Sequence, residues 1–294
     1  MRHAVLGAGG VGGLLGGALA RSGADVVLLM RSQTLAQYPG EIIVESRVLG
    51  SFTVPVAASS RLDSAVDVLW VTTKAAGVPG ASELAPPVRV EEAVVIPLMN
   101  GVDHLTSLRK MYAMVVAGAM RVESERRGPG RIVQTSPFIR MDLAGAQNVA
   151  DEVRAAGIDC RVDEDEVSLL WQKLVFLAPL ALATTAAAKP LGDVRHAELY
   201  QLAQQEALSV AKALGAQIDV DSLIALRGAA LDSMRSSMQR DVEHGKAPEL
   251  DAIAGPILRG GIRYGVATPA TQSLVDQVSA RVEAATAEEE GEPS

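Results

Sequence analysis

Gly7, Gly9 and Gly12 stand at the spacing G-x-G-x-x-G within Ala4-Val-Leu-Gly-Ala-Gly-Gly-Val-Gly12. Each glycine has a task where a strand turns into a helix. Gly7 permits a tight turn. Gly9, without a Cβ, lets the backbone approach a pyrophosphate. Gly12 lets the helix lie close to a sheet, and the helix start offers unpaired N–H groups and a positive dipole end. Val5 and Leu6 end a short apolar strand, Leu14, Leu15, Ala18 and Leu19 follow at helical spacing, and Ser22-Gly23 closes the helix. A second strand runs from Asp25 to Met30. This context predicts a dinucleotide site formed by Gly7, Ala8, Gly9, Gly10, Val11 and Gly12. The competing reading is a glycine-rich turn between packed elements. Against it, Gly13, Gly16 and Gly17 add glycine inside the helix, each costing about 1 kcal/mol relative to alanine. Close packing on a sheet or a cofactor would explain that cost.

Three further positions could carry chemistry in the same half. An acidic residue near the end of the second strand holds the ribose 2′-hydroxyl in NAD enzymes. Here the chain reads Met30-Arg31-Ser32. A guanidinium at 31 suits a 2′-phosphate, which favours NADP(H) over NAD; otherwise Arg31 is a solvated surface residue. Val66 to Thr73 and Ala93 to Met99 are nearly continuous apolar strands, as in a buried parallel sheet. They end in Thr72-Thr73-Lys74 and Asn100-Gly101. Polar residues at such strand ends point into the crevice where open α/β sheets bind ligands; Lys74 and Asn100 read equally well as ordinary loop polarity.

A second group lies in the other half. Lys173 stands in the apolar stretch Leu169-Leu-Trp-Gln-Lys-Leu-Val-Phe176 and must snorkel outward or face a pocket. Ser237 opens Ser-Met-Gln-Arg-Asp241, and Pro248-Glu249 starts a further helix, with proline expected in its first turn. An isolated lysine and an isolated glutamate are what a carbonyl reductase needs: a proton for the developing alkoxide, and a carboxylate to orient substrate.

Taken together, GAGGVG at 7–12, Arg31, VTTK at 71–74, NG at 100–101, LWQK at 170–173, SSMQRD at 236–241, PELDAIAG at 248–255 and ATP at 267–269 resemble the ketopantoate reductases (2-dehydropantoate 2-reductases), in order and in spacing. The resemblance spans the chain except its acidic tail. It implies an α/β fold: an N-terminal Rossmann-type dinucleotide-binding domain followed by an all-α C-terminal domain, with the active site in the cleft between them. It implies that NADPH reduces a 2-keto acid, with Lys173 as general acid and Glu249 holding the substrate hydroxyl and Lys173. Ser237 would bind the substrate carboxylate, and Asn100 and Lys74 would line the nicotinamide end. The chain departs from the biosynthetic pattern at Leu177 and Ala181, where asparagines are expected, and at Ala252 and Ala254, in place of tyrosine and asparagine. Spacings of four and eight keep Leu177 and Ala181 on the helix face of Lys173, so the wall beside the lysine should be apolar. A β-hydroxyacid or opine-type dehydrogenase, and a redox-silent NADP-binding sensor, are the alternatives.

The surrounding elements follow from pattern. Residues 42–56 alternate and turn at Leu49-Gly50, a β-hairpin insertion. Val115 to Leu143 reads as an antiparallel extension of the sheet, followed by a helix over 146–156 and a strand near 160–162. Asp163-Glu-Asp-Glu166 opens a long helix, where negative charge suits the N-terminus. The rest is helical, with interruptions at Pro190, Gly215, Gly245 and Pro269. The expected domains are 1–165 and 166–287, with a disordered acidic tail at 288–294. The chain has 294 residues, a net charge of −8 and no basic patch, which argues against nucleic acid. The histidines have no metal-ligand spacing. One cysteine, Cys160, excludes an internal disulfide and fits a reducing, cytoplasmic setting. No signal peptide is read at the start. Leu174 to Ala188 reads as a buried core helix and not a membrane span. A homodimer is left open.

Overall fold

The computed structural model describes residues 1–291, with side chains through residue 285. The chain divides into two compact units: Met1–Met99 with Asp103–Leu169, and Asn100–Val102 with the chain from Leu170 onward.

The first unit is built on a five-stranded parallel sheet. Its strands are β1 (Arg2–Leu6), β2 (Asp25–Leu29), β5 (Ala57–Ser59), β6 (Val68–Val71) and β7 (Val94–Pro97), in the order β5-β2-β1-β6-β7. Val68, Leu69, Trp70 and Val71 are all fully buried, as a strand covered on both faces requires. The register sets Leu6 beside both Leu29 and Val71, so three neighbouring strands end level.

The predicted hairpin exists as β3 (Glu41–Ser46) and β4 (Gly50–Pro55). It belongs to a second sheet, with β9 (Ser124–Gly128) and β10 (Arg131–Gln134), in the order β4-β3-β10-β9. A third sheet joins β8 (Gly118–Arg121), β11 (Arg140–Ala144) and β12 (Asp159–Asp163). The expected single antiparallel extension over 115–143 is therefore split between two sheets. β8 and β11 pair antiparallel, while β10 leaves them to pair parallel with β3. A parallel bridge between Val95 and Val115 links this region to β7, and Gly118 of β8 packs against Ile96.

The first helix, α1 (Gly10–Arg21), explains its own glycines. It lies between the first and second sheets. A Cβ on Gly16 would sit 2.9 Å from Leu28 Cδ2 of β2; on Gly13, 2.5 Å from Ile132 Cδ1 of β10; on Gly17, 2.9 Å from Ile42 Cγ2 of β3. Close approach on two faces offsets the poor helix propensity of glycine. The short helices α2 (Ser32–Leu35), α3 (Ala81–Leu84) and α4 (His104–Leu108), and α5 (Gln147–Ala155), complete this unit.

The long helix α6 (Glu166–Ala187) begins as its charge pattern predicts. Asp165 accepts from the Ser168 N–H at 3.0 Å, and Glu166 in the first turn receives two hydrogen bonds from Arg109, at 2.9 and 2.6 Å. By length and composition α6 could cross a membrane, but 72% of its most apolar stretch is buried, as in a core helix. It is followed by α7 (Leu191–Val194), α8 (Glu198–Ala213), α9 (Val220–Ala229), α10 (Ser237–Glu243), α11 (Leu250–Tyr264) and α12 (Pro269–Gly291). Leu174, Val175, Tyr200, Val210, Ile253, Ile257, Leu274 and Val278 share one core. The carboxylate of Glu206 on α8 accepts from the Ala270 and Thr271 N–H groups, both at 2.7 Å, and so caps α12 from outside. Of the acidic tail expected at 288–294, residues 292–294 lie outside the described residues; to Gly291 the backbone continues α12.

Candidate functional site

The glycine loop leaves β1 at Leu6 and enters α1 at Gly10. Gly7 has φ +103°, a conformation that L side chains rarely adopt, and its N–H donates to Leu29 O at 3.0 Å. Gly9 is the extended N-cap of α1, with no side-chain cap, and Gly13 N–H donates to its carbonyl at 2.8 Å. The N–H groups ahead of Gly13 have no intrahelical partner. A Cβ on Gly9 would meet nothing within 4 Å, so the space it leaves is open. Thr73 turns its methyl Cγ2 toward the loop, 3.0 Å from where a Cβ on Gly7 would lie, while its buried Oγ1, without a hydrogen-bond partner among the described residues, lies 3.1 Å from where a Cβ on Gly77 would be. An open glycine at a helix start, with N–H groups that have no intrahelical partner, fits the pyrophosphate of a dinucleotide.

Arg31 and Lys74 stand at the same edge of the sheet. Arg31 follows β2 by two residues, is exposed, and is the extended residue ahead of α2. Lys74 follows β6 by three residues and is also exposed. With Leu6 level with Leu29 and Val71, the glycine loop has Arg31 on one flank and Lys74 on the other.

In the second unit the structure brings together Asn100 and Glu249. Asn100 Nδ2 donates to Glu249 Oε2 at 3.3 Å, across 149 residues of sequence. The cause is local. Gly101 has φ +82°, and a Cβ there would lie 2.1 Å from Ala252 O. Val102 packs against the helical core. The turn 100–102 thus docks on the first turn of α11, which is why these residues leave the first unit. Glu249 is the N-cap residue of α11, and Pro248 precedes the cap, so the proline expected in the first turn stands ahead of the helix.

Lys173 and Leu177 lie one turn apart on α6, both half-buried. Ala181 differs from expectation. It is 1% exposed within the helical core, so it offers no open wall, and an asparagine there would have to displace packed neighbours. Ala254 is equally enclosed, at 1%. Ser237 is exposed at the start of α10. Its neighbour Ser236 is the cap: its Oγ accepts from Gln239 N–H at 3.0 Å and lies 2.9 Å from Thr184 Oγ1.

Sequence reasoning missed Ser124 on β9. Its hydroxyl donates to Gly10 O at 2.9 Å. No local signal marks it, because it reaches the loop through sheet pairing, 114 residues away.

The sequence pattern of the family described as ketopantoate reductase PanE/ApbA matches residues 3–143, and that of its C-terminal part matches residues 167–282. The chain is similar to the oxidoreductase YkpB of Bacillus subtilis, at 28% identity over 93% of this chain and 96% of that protein. It is 30% identical to a 2-dehydropantoate 2-reductase of Caulobacter vibrioides, over 94% of this chain and 98% of the relative. The crystal structure of 2-dehydropantoate 2-reductase from Geobacter metallireducens superposes with a TM-score of 0.86 at 26% identity, covering 95% of this chain and 99% of that one. With both parts of the pattern matched in order, and with the glycine loop and the Asn100–Glu249 pair formed, the chain belongs to the ketopantoate reductase family.

Proposed function

We propose that the protein reduces a 2-keto acid to the 2-hydroxy acid with NADPH, with ketopantoate as the leading substrate. The bound nicotinamide supplies a hydride to the carbonyl carbon. The chain's own residues do the rest. Gly7 to Gly12 hold the pyrophosphate, and Arg31 holds the 2′-phosphate. Lys74 and Asn100 line the nicotinamide end. Lys173 gives a proton to the carbonyl oxygen as charge develops on it, so hydride and proton together convert C=O to CH–OH. Glu249 holds Lys173 and the substrate hydroxyl, and Ser237 binds the carboxylate. The observation that carries this reading is the Asn100–Glu249 hydrogen bond, which joins two polar residues singled out separately for opposite ends of the same reaction. A cytoplasmic setting belongs to the proposal. It is in keeping with a single cysteine, Cys160, which leaves no internal disulfide.

A second reading is a more apolar keto acid as substrate, favoured by the half-buried Leu177 one turn from Lys173. The deciding experiment follows NADPH consumption across branched and linear 2-keto acids, ketopantoate included. Turnover on one or more supports the reductase, and the preferred acid separates the two readings. Tight NADPH binding without turnover on any of them points to a redox-silent sensor and defeats the proposal.

A further inference from the structure

We propose that Thr72 and Ser124 are positioning residues of the glycine loop, each hydroxyl holding one loop carbonyl so that the neighbouring N–H groups are presented to the ligand. The inference rests on the dinucleotide reading above and names what shapes that site. Thr72 Oγ1 donates to Gly7 O at 2.7 Å, with Leu6 O at 3.1 Å. The trans peptide is planar, so tying down the Gly7 carbonyl turns the N–H of Ala8 the opposite way. Ser124 Oγ donates to Gly10 O at 2.9 Å, which anchors the first turn of α1 to β9. The two hydroxyls come from different sheets, one just past β6 and the other opening β9, so the loop is held on both sides.

The glycines fall into two sorts on this view. A Cβ on Gly12 would lie 2.0 Å from Gly7 O and 2.3 Å from Thr72 Oγ1, in the path of the first hydrogen bond. A Cβ on Gly10 would lie 2.2 Å from Ser124 O, where β9 passes. Gly12 and Gly10 therefore make room for the two clamps, whereas Gly9 faces open space and makes room for ligand.

The test is titration of NADPH and of NADH into wild type, Thr72→Val and Ser124→Ala, with Thr72→Ser and Ser124→Thr as variants that keep the hydroxyl. Loss of a clamp should raise Kd for both nucleotides by the same factor, about three- to tenfold, and the hydroxyl-keeping variants should recover most of it. At saturating NADPH the KM for keto acid should stay unchanged. The proposal is overturned if wild type binds and both hydroxyl-free variants bind within twofold of it, or if the loss persists in Thr72→Ser and Ser124→Thr. Should Thr72→Val fail to fold, Ser124→Ala poses the same question from the other sheet. A wild type that binds neither nucleotide removes the dinucleotide reading, and the clamps with it.

Discussion

Arg31 and Lys173 carry the two sharpest expectations for single residues. Arg31 is exposed at the strand edge beside the glycine loop, where a guanidinium and a phosphate form charge-assisted hydrogen bonds. Arg31→Ala should weaken NADPH binding about ten- to a hundredfold and leave NADH nearly unchanged. Equal losses in calorimetric titrations of the two would remove the assignment. Lys173→Ala should lower kcat about 10²–10⁴-fold while NADPH still binds; near-normal turnover would make Lys173 a snorkelling helix residue. The proposed apolar wall rests on Leu177 alone, since Ala181 is packed in the core. Leu177→Asn should raise kcat/KM for ketopantoate relative to its unhydroxylated branched analogue, because a hydroxyl buried without a partner costs about 1–3 kcal/mol. If that ratio fails to rise, the apolar-wall idea is wrong. At this scale the sequence was legible wherever geometry follows local spacing, as in the positive φ of Gly7, the helix start at Gly9 and the close packing at Gly12. It was illegible for Ser124, whose role depends on β9 pairing with β10, and for Ala181, whose helix face was foreseen but not the depth of its burial.

Among the elements, the 100–102 turn and α11 depend on one another. The Gly101 backbone lies against Ala252 O with a positive φ, so Gly101→Ala meets both strain and a clash with backbone, which cannot step aside as a side chain tip can. The turn must lift, and Asn100 loses Glu249. The expected result is a loss of about 1–3 kcal/mol in stability together with a fall in kcat, measured by urea unfolding and steady-state kinetics. A variant unchanged in both would show that the turn does not position Asn100. Strand patterns over 42–56 and 115–143 were readable as strands because alternation is local. Their assignment to sheets was not, because β3 and β10 meet through long-range pairing that no alternation encodes.

For the molecule as a whole, part of the loss of stability below neutral pH should come from a buried histidine in the first unit. Trp70 Nε1–H donates to His3 Nδ1 at 3.1 Å, so Nδ1 is the unprotonated nitrogen and Nε2–H faces Glu152 Oε2 at 2.6 Å. Burial holds the imidazole below its ordinary 6.5, outweighing the pull of Glu152 toward the charged form. In the unfolded chain His3 takes up its proton near 6.5, and in the folded chain only at lower pH. Its contribution is complete above about 6.5 and is lost as pH falls below that value. The urea midpoint should therefore drop between pH 7 and pH 5, and drop less in His3→Gln; identical slopes would exclude His3 as the source. The two-part organisation was legible from motif order, whereas the handover of residues 100–102 to the helical unit was not, because it rests on contacts with Ala252 and Glu249. The placement of α1 between two sheets also bears on how the chain comes off the ribosome. A helix with glycine at 10, 12, 13, 16 and 17 has little tendency to form alone, and its second packing surface includes Ile132 on β10. Although the loop is encoded in the first dozen residues, α1 should reach its packed form only after synthesis has passed Gln134, the last residue of β10, so chains truncated before β10 should be cut by protease at the loop and longer ones protected.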